Sequence, residues 1–72
     1  MVQEATVEQV FVFIQDYTRK VGFSPTIKEI AIGCHLSMHK TDEVLTILEA
    51  REKITRTKRT WRNIGIPMNE AD

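Results

Sequence analysis

From Val7 onward, apolar residues return at steps of three and four: Val7, Val10, Phe11, Ile14, Tyr17 and Val21. That spacing lays one continuous stripe along a helix. Gly22 offers it a left-handed end. Thr6 with Gln9 has the spacing of a capping box, so the helix is expected over about 6–21. Val12 and Phe13 lie off the stripe and flank the core.

Ser24-Pro25 interrupts the pattern, because the residue before a proline resists helical backbone. Thr26 with Glu29 repeats the capping-box spacing, and Pro25 with Ile30 is placed as its hydrophobic staple. Ile27, Ile30, Ala31 and Cys34 then face inward along a helix of about 27–34. A helix of two turns is not stable alone and has to be held by packing. Ser37 is the next cap. Thr41, Val44, Leu45 and Leu48 form the buried face of a third helix, expected over about 38–52, with Ile47 at its edge. His39, Asp42, Glu43, Thr46 and Ala50 occupy the opposite face, with Lys40 to one side.

After Leu48 the period changes. Ile54 to Thr57 is rich in β-branched residues, Lys58-Arg59-Thr60 is polar, and Trp61 to Ile66 can extend again. This reads as a two-stranded hairpin over about 54–66 with a loop longer than a tight turn. Residues 67–72 read as a frayed tail. The expected fold is therefore mainly α with a small β-hairpin, a three-helix winged helix-turn-helix filling one domain from 1 to 72.

Length adds a constraint, since 72 residues form one small core. No apolar run reaches the length of a membrane span, and the start lacks the features of a signal peptide. A single cysteine makes no internal disulfide, which fits a cytoplasmic setting. Ten basic and ten acidic side chains cancel, so indiscriminate coating of nucleic acid is not expected. The distribution is uneven, however. Arg51, Lys53, Arg56, Lys58, Arg59 and Arg62 fall within twelve residues that contain one acid, Glu52. A patch of about +5 is an electrostatic footprint for an anionic partner.

The stretch Gly22-Phe-Ser-Pro-Thr26 followed by Glu29-Ile-Ala31, with Leu45-x-x-Leu48-Glu49 and Ile54 beyond it, resembles the N-terminal DNA-binding domain of the LexA repressors. The likeness runs from about Val10 to Ile66. It implies a third helix in the major groove of double-stranded DNA and a wing on the backbone. Carried onto this chain, the base-reading candidates are Ser37, His39, Lys40, Asp42 and Glu43. The backbone candidates are Thr26, Lys28, Arg56, Lys58, Arg59 and Arg62. The chain departs from the family at His35 and Glu52, where glycine is usual, and matches only loosely between Ser37 and Val44. LexA continues into a self-cleaving protease domain whose cleavage segment, serine and lysine are not among these 72 residues, so the expectation is either a stand-alone regulator or one domain of a longer protein.

Other chemistry is poorly supplied. Cys34, His35 and His39 offer three metal ligands without a convincing fourth, and a small inward-facing cysteine is usually just buried. Asp42 and Glu43, adjacent on a helix, point about 100° apart and form no acid–base pair. There is no glycine-rich phosphate loop, and little material for a substrate pocket. The expectation is a sequence-specific, repressor-type transcriptional regulator, not an enzyme, with no cofactor, metal or small-molecule substrate. A homodimer on a two-fold site is compatible with this reading. On this reading Arg56 and Arg59 set the salt dependence of binding, while Asp42 and Glu43 set the preferred sequence. The rival expectation is a winged-helix interaction module, of phage or mobile-element type, that binds a host regulator or polymerase through exposed Ile32, Val12 or Met38.

Overall fold

A computed structural model describes residues 2–56 and 64–65 of the chain. It is mainly helical: α1 spans Glu4–Val21, α2 Ile27–Cys34 and α3 Met38–Ala50. Two short strands follow, β1 Thr55–Arg56 and β2 Ile64–Gly65, paired antiparallel with Arg56 opposite Ile64 and Thr55 opposite Gly65. The expected hairpin tip, with Lys58, Arg59, Trp61 and Arg62, and the expected tail over 67–72 lie outside the described residues.

The three helices pack pairwise around one apolar centre. Val7, Val10 and Ile14 come from α1, Ile30 and Cys34 from α2, and Val44, Leu45 and Leu48 from α3. Ile54 and Ile64 close the same cluster, so the strand pair is tied to the helices by one buried isoleucine on each side. Thr41 is the polar member of this interior, and its hydroxyl donates to the Ser37 carbonyl at 2.8 Å. That bond meets the requirement that a buried polar group be satisfied.

The expected face of α3 (Thr41, Val44, Leu45, Leu48) is buried as a unit, and Ile47 sits half-buried beside it. Two expectations for α1 are corrected. Its first residue is Glu4, following an extended Gln3 that makes no side-chain cap bond, so Thr6 lies inside the first turn. The Thr6 and Val7 amides are taken by the Gln3 carbonyl at 3.0 and 3.2 Å, which leaves no orphan amide for a Thr6–Gln9 box to satisfy. At the other end the apolar stripe outruns its cover: Val21 is exposed and Tyr17 half-buried. An eight-residue helix is less than half as long as α1's eighteen residues and cannot shield its last turn.

A left-handed residue closes α1 and α2, and another lies just past the end of α3. For α1 it is Gly22, φ 99°, whose amide donates to Thr18. For α2 it is His35, φ 57°, and for the turn after α3 it is Glu52, φ 61°. Leu36 donates back to Ala31 at 2.8 Å and His35 to Ile32 at 3.3 Å. Lys53 likewise donates to Leu48 at 2.9 Å and Glu52 to Glu49 at 3.0 Å. Both are Schellman closures, normally built with glycine. The departures from glycine noted in the sequence therefore fall on positions that keep the left-handed backbone. The turn at Glu52 also stops α3 at Ala50, two residues before the expected 52.

Candidate nucleic-acid interface

Residues 35–37 separate α2 from α3, and both flanking helices have the caps the sequence leads one to expect. Thr26 Oγ1 accepts the Glu29 amide at 3.1 Å, while Glu29 Oε1 accepts the Thr26 amide at 2.7 Å. Pro25 and Ile30 are both buried, as the staple requires. Ser37 Oγ accepts the Lys40 amide at 3.0 Å and fixes where α3 begins. The left-handed His35 between these caps turns the chain sharply enough for α3 to cross α2.

Of the base-reading candidates, Ser37, His39 and Asp42 are exposed, while Lys40 and Glu43 are half-buried. His39, Asp42 and Glu43 share the outer side of α3, with Lys40 to one side next to Val2, Gln3 and Thr6. Thr46, whose hydroxyl donates to the Asp42 carbonyl at 2.9 Å, continues that side. Their charges are not independent. Lys40 Nζ lies 3.6 Å from Glu43 Oε1, one turn along the same helix. Asp42 Oδ1 accepts from Arg56 Nη2 at 3.1 Å, a contact that reaches from β1 to α3. Each acid of this helix face is thus matched by a base.

Of the backbone candidates, Lys28 is exposed in the first turn of α2, and Thr26 commits the acceptor side of its hydroxyl to the cap. Arg56 does not stand out from the strand pair. Its side chain is only 19% exposed, against 60% for Asp42. Lys58, Arg59 and Arg62 lie outside the described residues.

Cys34 is buried, and that burial pushes its thiol pKa up. Among the described residues no three His, Cys, Asp or Glu side chains are gathered to hold a metal ion. A second surface feature escaped the sequence reading. Phe13 and Tyr17 stack obliquely with ring centres 6.0 Å apart, and Phe23 meets Tyr17 edge-on at 6.5 Å. Beside them, a shallow cleft of about 300 Å³ is lined by Phe13, Asp16, Tyr17, Lys20 and Val21. Its signal in the sequence is the Phe13-x-x-x-Tyr17 step, which follows the helical period with Phe13 off the apolar stripe.

No protein-family model matches the chain, and no curated protein matches it either. Among the described residues no helix is long and apolar enough to cross a membrane.

Proposed function

We propose that this chain is a winged helix-turn-helix domain, similar to the DNA-binding domain of the LexA repressors, and that it acts as a sequence-specific transcriptional regulator in the cytoplasm. Its partner is double-stranded DNA, with α3 in the major groove and the basic segment after it on the backbone. The observation that carries this reading is the outer face of α3. It starts at a Ser37-capped N-terminus, carries Ser37, His39, Lys40, Asp42 and Glu43, and is backed by a two-turn α2 across a three-residue turn. This is the arrangement in which the first residues of a recognition helix meet base edges. Lys28 at the start of α2, together with Lys58, Arg59 and Arg62, supplies phosphate contacts that position the domain.

One domain of this size makes few such contacts, so tight binding requires a homodimer on a two-fold site. The test is selection of bound duplexes from random sequence, repeated across a salt series. The reading expects one enriched sequence whose affinity falls steeply with salt, and Arg59→Ala should flatten that slope by about one unit. Failure to retain any duplex at low salt would falsify it.

A second reading rests on a different observation. Ile32 is 66% exposed and Met38 53%, with Val12 also at the surface, so apolar side chains are open to a protein partner. An interaction module that binds a host regulator or polymerase would use these residues. Capture of such a protein by the wild type, lost in Ile32→Asp with DNA selection negative, would favour it.

A further inference from the structure

We propose that Arg56 is a base-reading side chain, aimed at a guanine edge, and that Asp42 is the residue that positions it. The proposal rests on the DNA-binding reading given above and changes the roles of two residues within it. From sequence, Arg56 is a backbone candidate and Asp42 a base-reading one.

Side chains alternate along an extended chain, so Ile54 and Arg56 point to one side and Thr55 to the other. Burial follows that alternation: Ile54 is buried, Thr55 exposed and Arg56 half-buried. Arg56 also lies directly opposite Ile64, which is itself in the core. Cross-strand partners share a face. Arg56 therefore belongs to the side of the strand pair turned toward the helices. Its aliphatic stem runs along that side, and its head emerges at the outer face of α3, where Nη2 meets Asp42 Oδ1 at 3.1 Å.

This placement suits a base edge better than a phosphate. The Asp42 carboxylate cancels the guanidinium charge locally and would repel a phosphate brought to the same point. A neutral pair also releases few counterions, so it adds little to salt-dependent affinity. What the pair offers is direction. Among the described residues, Asp42 takes one of the five N–H donors of the guanidinium and holds its plane. The remaining donors keep the forked geometry that matches O6 and N7 of guanine. Asp42 faces outward beside His39 and Thr46, one turn away on either side, so the fork lies among the other candidate readers. With its carboxylate engaged in this way, Asp42 acts through Arg56 and does not read a base itself.

The experiment selects duplexes with the wild type, Arg56→Ala, Arg56→Lys, Asp42→Ala, Asp42→Asn and the double variant Asp42→Ala/Arg56→Ala. Circular dichroism first confirms that each is folded. The wild type is expected to prefer guanine at one position by on the order of ten-fold to a hundred-fold. Arg56→Ala and the double variant lose that preference. Asp42→Ala and Asp42→Asn relax it at the same position, and Arg56→Lys, which keeps the charge without the fork, fails to restore it. The double variant keeps the net charge, so its loss of the guanine preference is not an effect of overall charge. The proposal is overturned if Asp42 variants change a different position from Arg56 variants, or if the double variant retains the guanine preference. It is equally overturned if Arg56→Ala weakens all sequences alike while Asp42→Ala has no effect. A wild type that selects no duplex removes the DNA-binding reading and this inference together, whereas selection with independent effects removes only the inference.

Discussion

α1 and α2 meet the same physical demand, the satisfaction of helix ends, with opposite resources. α1 has eighteen residues, begins after Gln3 with no side-chain cap, and ends on Gly22. α2 has eight residues, a reciprocal capping box at Thr26 and Glu29, and a left-handed His35 whose bonds close its other end. A long helix spreads the cost of its ends over many internal bonds, while a two-turn helix has few to spread it over. α2 is therefore held by its ends and its buried face, and α1 by its length. Since α2 sets the angle at which α3 leaves, damage to α2 should reach the candidate interface sooner than damage to α1.

The comparison breaks most severely at Ile30, which is fully buried in the shared core. Ile30→Ala removes the largest anchor of a helix with little other support and should cost about 2–5 kcal/mol. Urea unfolding followed by circular dichroism measures it. A cost under about 1 kcal/mol would mean that the buried face of α2 is not what holds it.

Next comes the contrast between caps. Thr26→Ala removes one arm of the capping box and should cost about 1 kcal/mol. Gln3→Ala, at the same position of α1, has no cap bond to lose and should stay within about 0.5 kcal/mol of wild type. Equal losses at the two sites would show that end chemistry does not distinguish the helices.

The left-handed ends give a smaller effect of opposite sign. A side chain in that conformation costs roughly 1–2 kcal/mol, and glycine there offsets part of the gain by roughly 0.5–1 kcal/mol of lost chain freedom. Glu52→Gly should therefore stabilise by up to about 1 kcal/mol. His35→Gly should gain less, because histidine is among the residues that tolerate this backbone best. Thermal melts of both variants rank them, and a larger gain at His35 would reverse the argument.

How much of this was legible beforehand follows the range of each interaction. The limits of α2 and the start of α3 could be read because Thr26, Glu29 and Ser37 write them within three residues. The start of α1 could not, since an extended Gln3 whose carbonyl does the work leaves no side-chain signature. Burial was legible where the stripe met a neighbour, at Val7, Val10 and Ile14, and failed at Val21, where coverage depends on how far α2 reaches. In the candidate site, the face of α3 was readable from period alone. The pairing of Arg56 with Asp42 was not, because it joins residues fourteen apart and a cluster of positive charge suggested an outward-facing grip. The alternation Ile54, Thr55, Arg56 held the missing clue.

The smallest expected effect concerns the bare start of α1, which has a long-range partner in place of a cap. Both terminal nitrogens of Arg51 donate to the Glu4 carboxylate, Nη2 to Oε1 at 2.9 Å and Nη1 to Oε2, linking the start of α1 to the end of α3. The hydrogen bonds from Arg51, more than its charge, hold the Glu4 carboxyl below the usual carboxylate pKa. A depressed folded-state pKa stabilises the fold above the unfolded value, and the contribution is lost as pH falls through the folded one. Wild type should therefore exceed Glu4→Gln in urea midpoint at neutral pH, and the two should converge in acid below the ordinary carboxylate range. Because both side chains are open to solvent, the gap should be small and close further with added salt. The other carboxylates are common to both proteins, so convergence isolates Glu4. A gap that persists in acid and at high salt would instead mean that Glu4 supports α1 through packing or helix propensity, and that the long helix needs no ionic tie at its uncapped end.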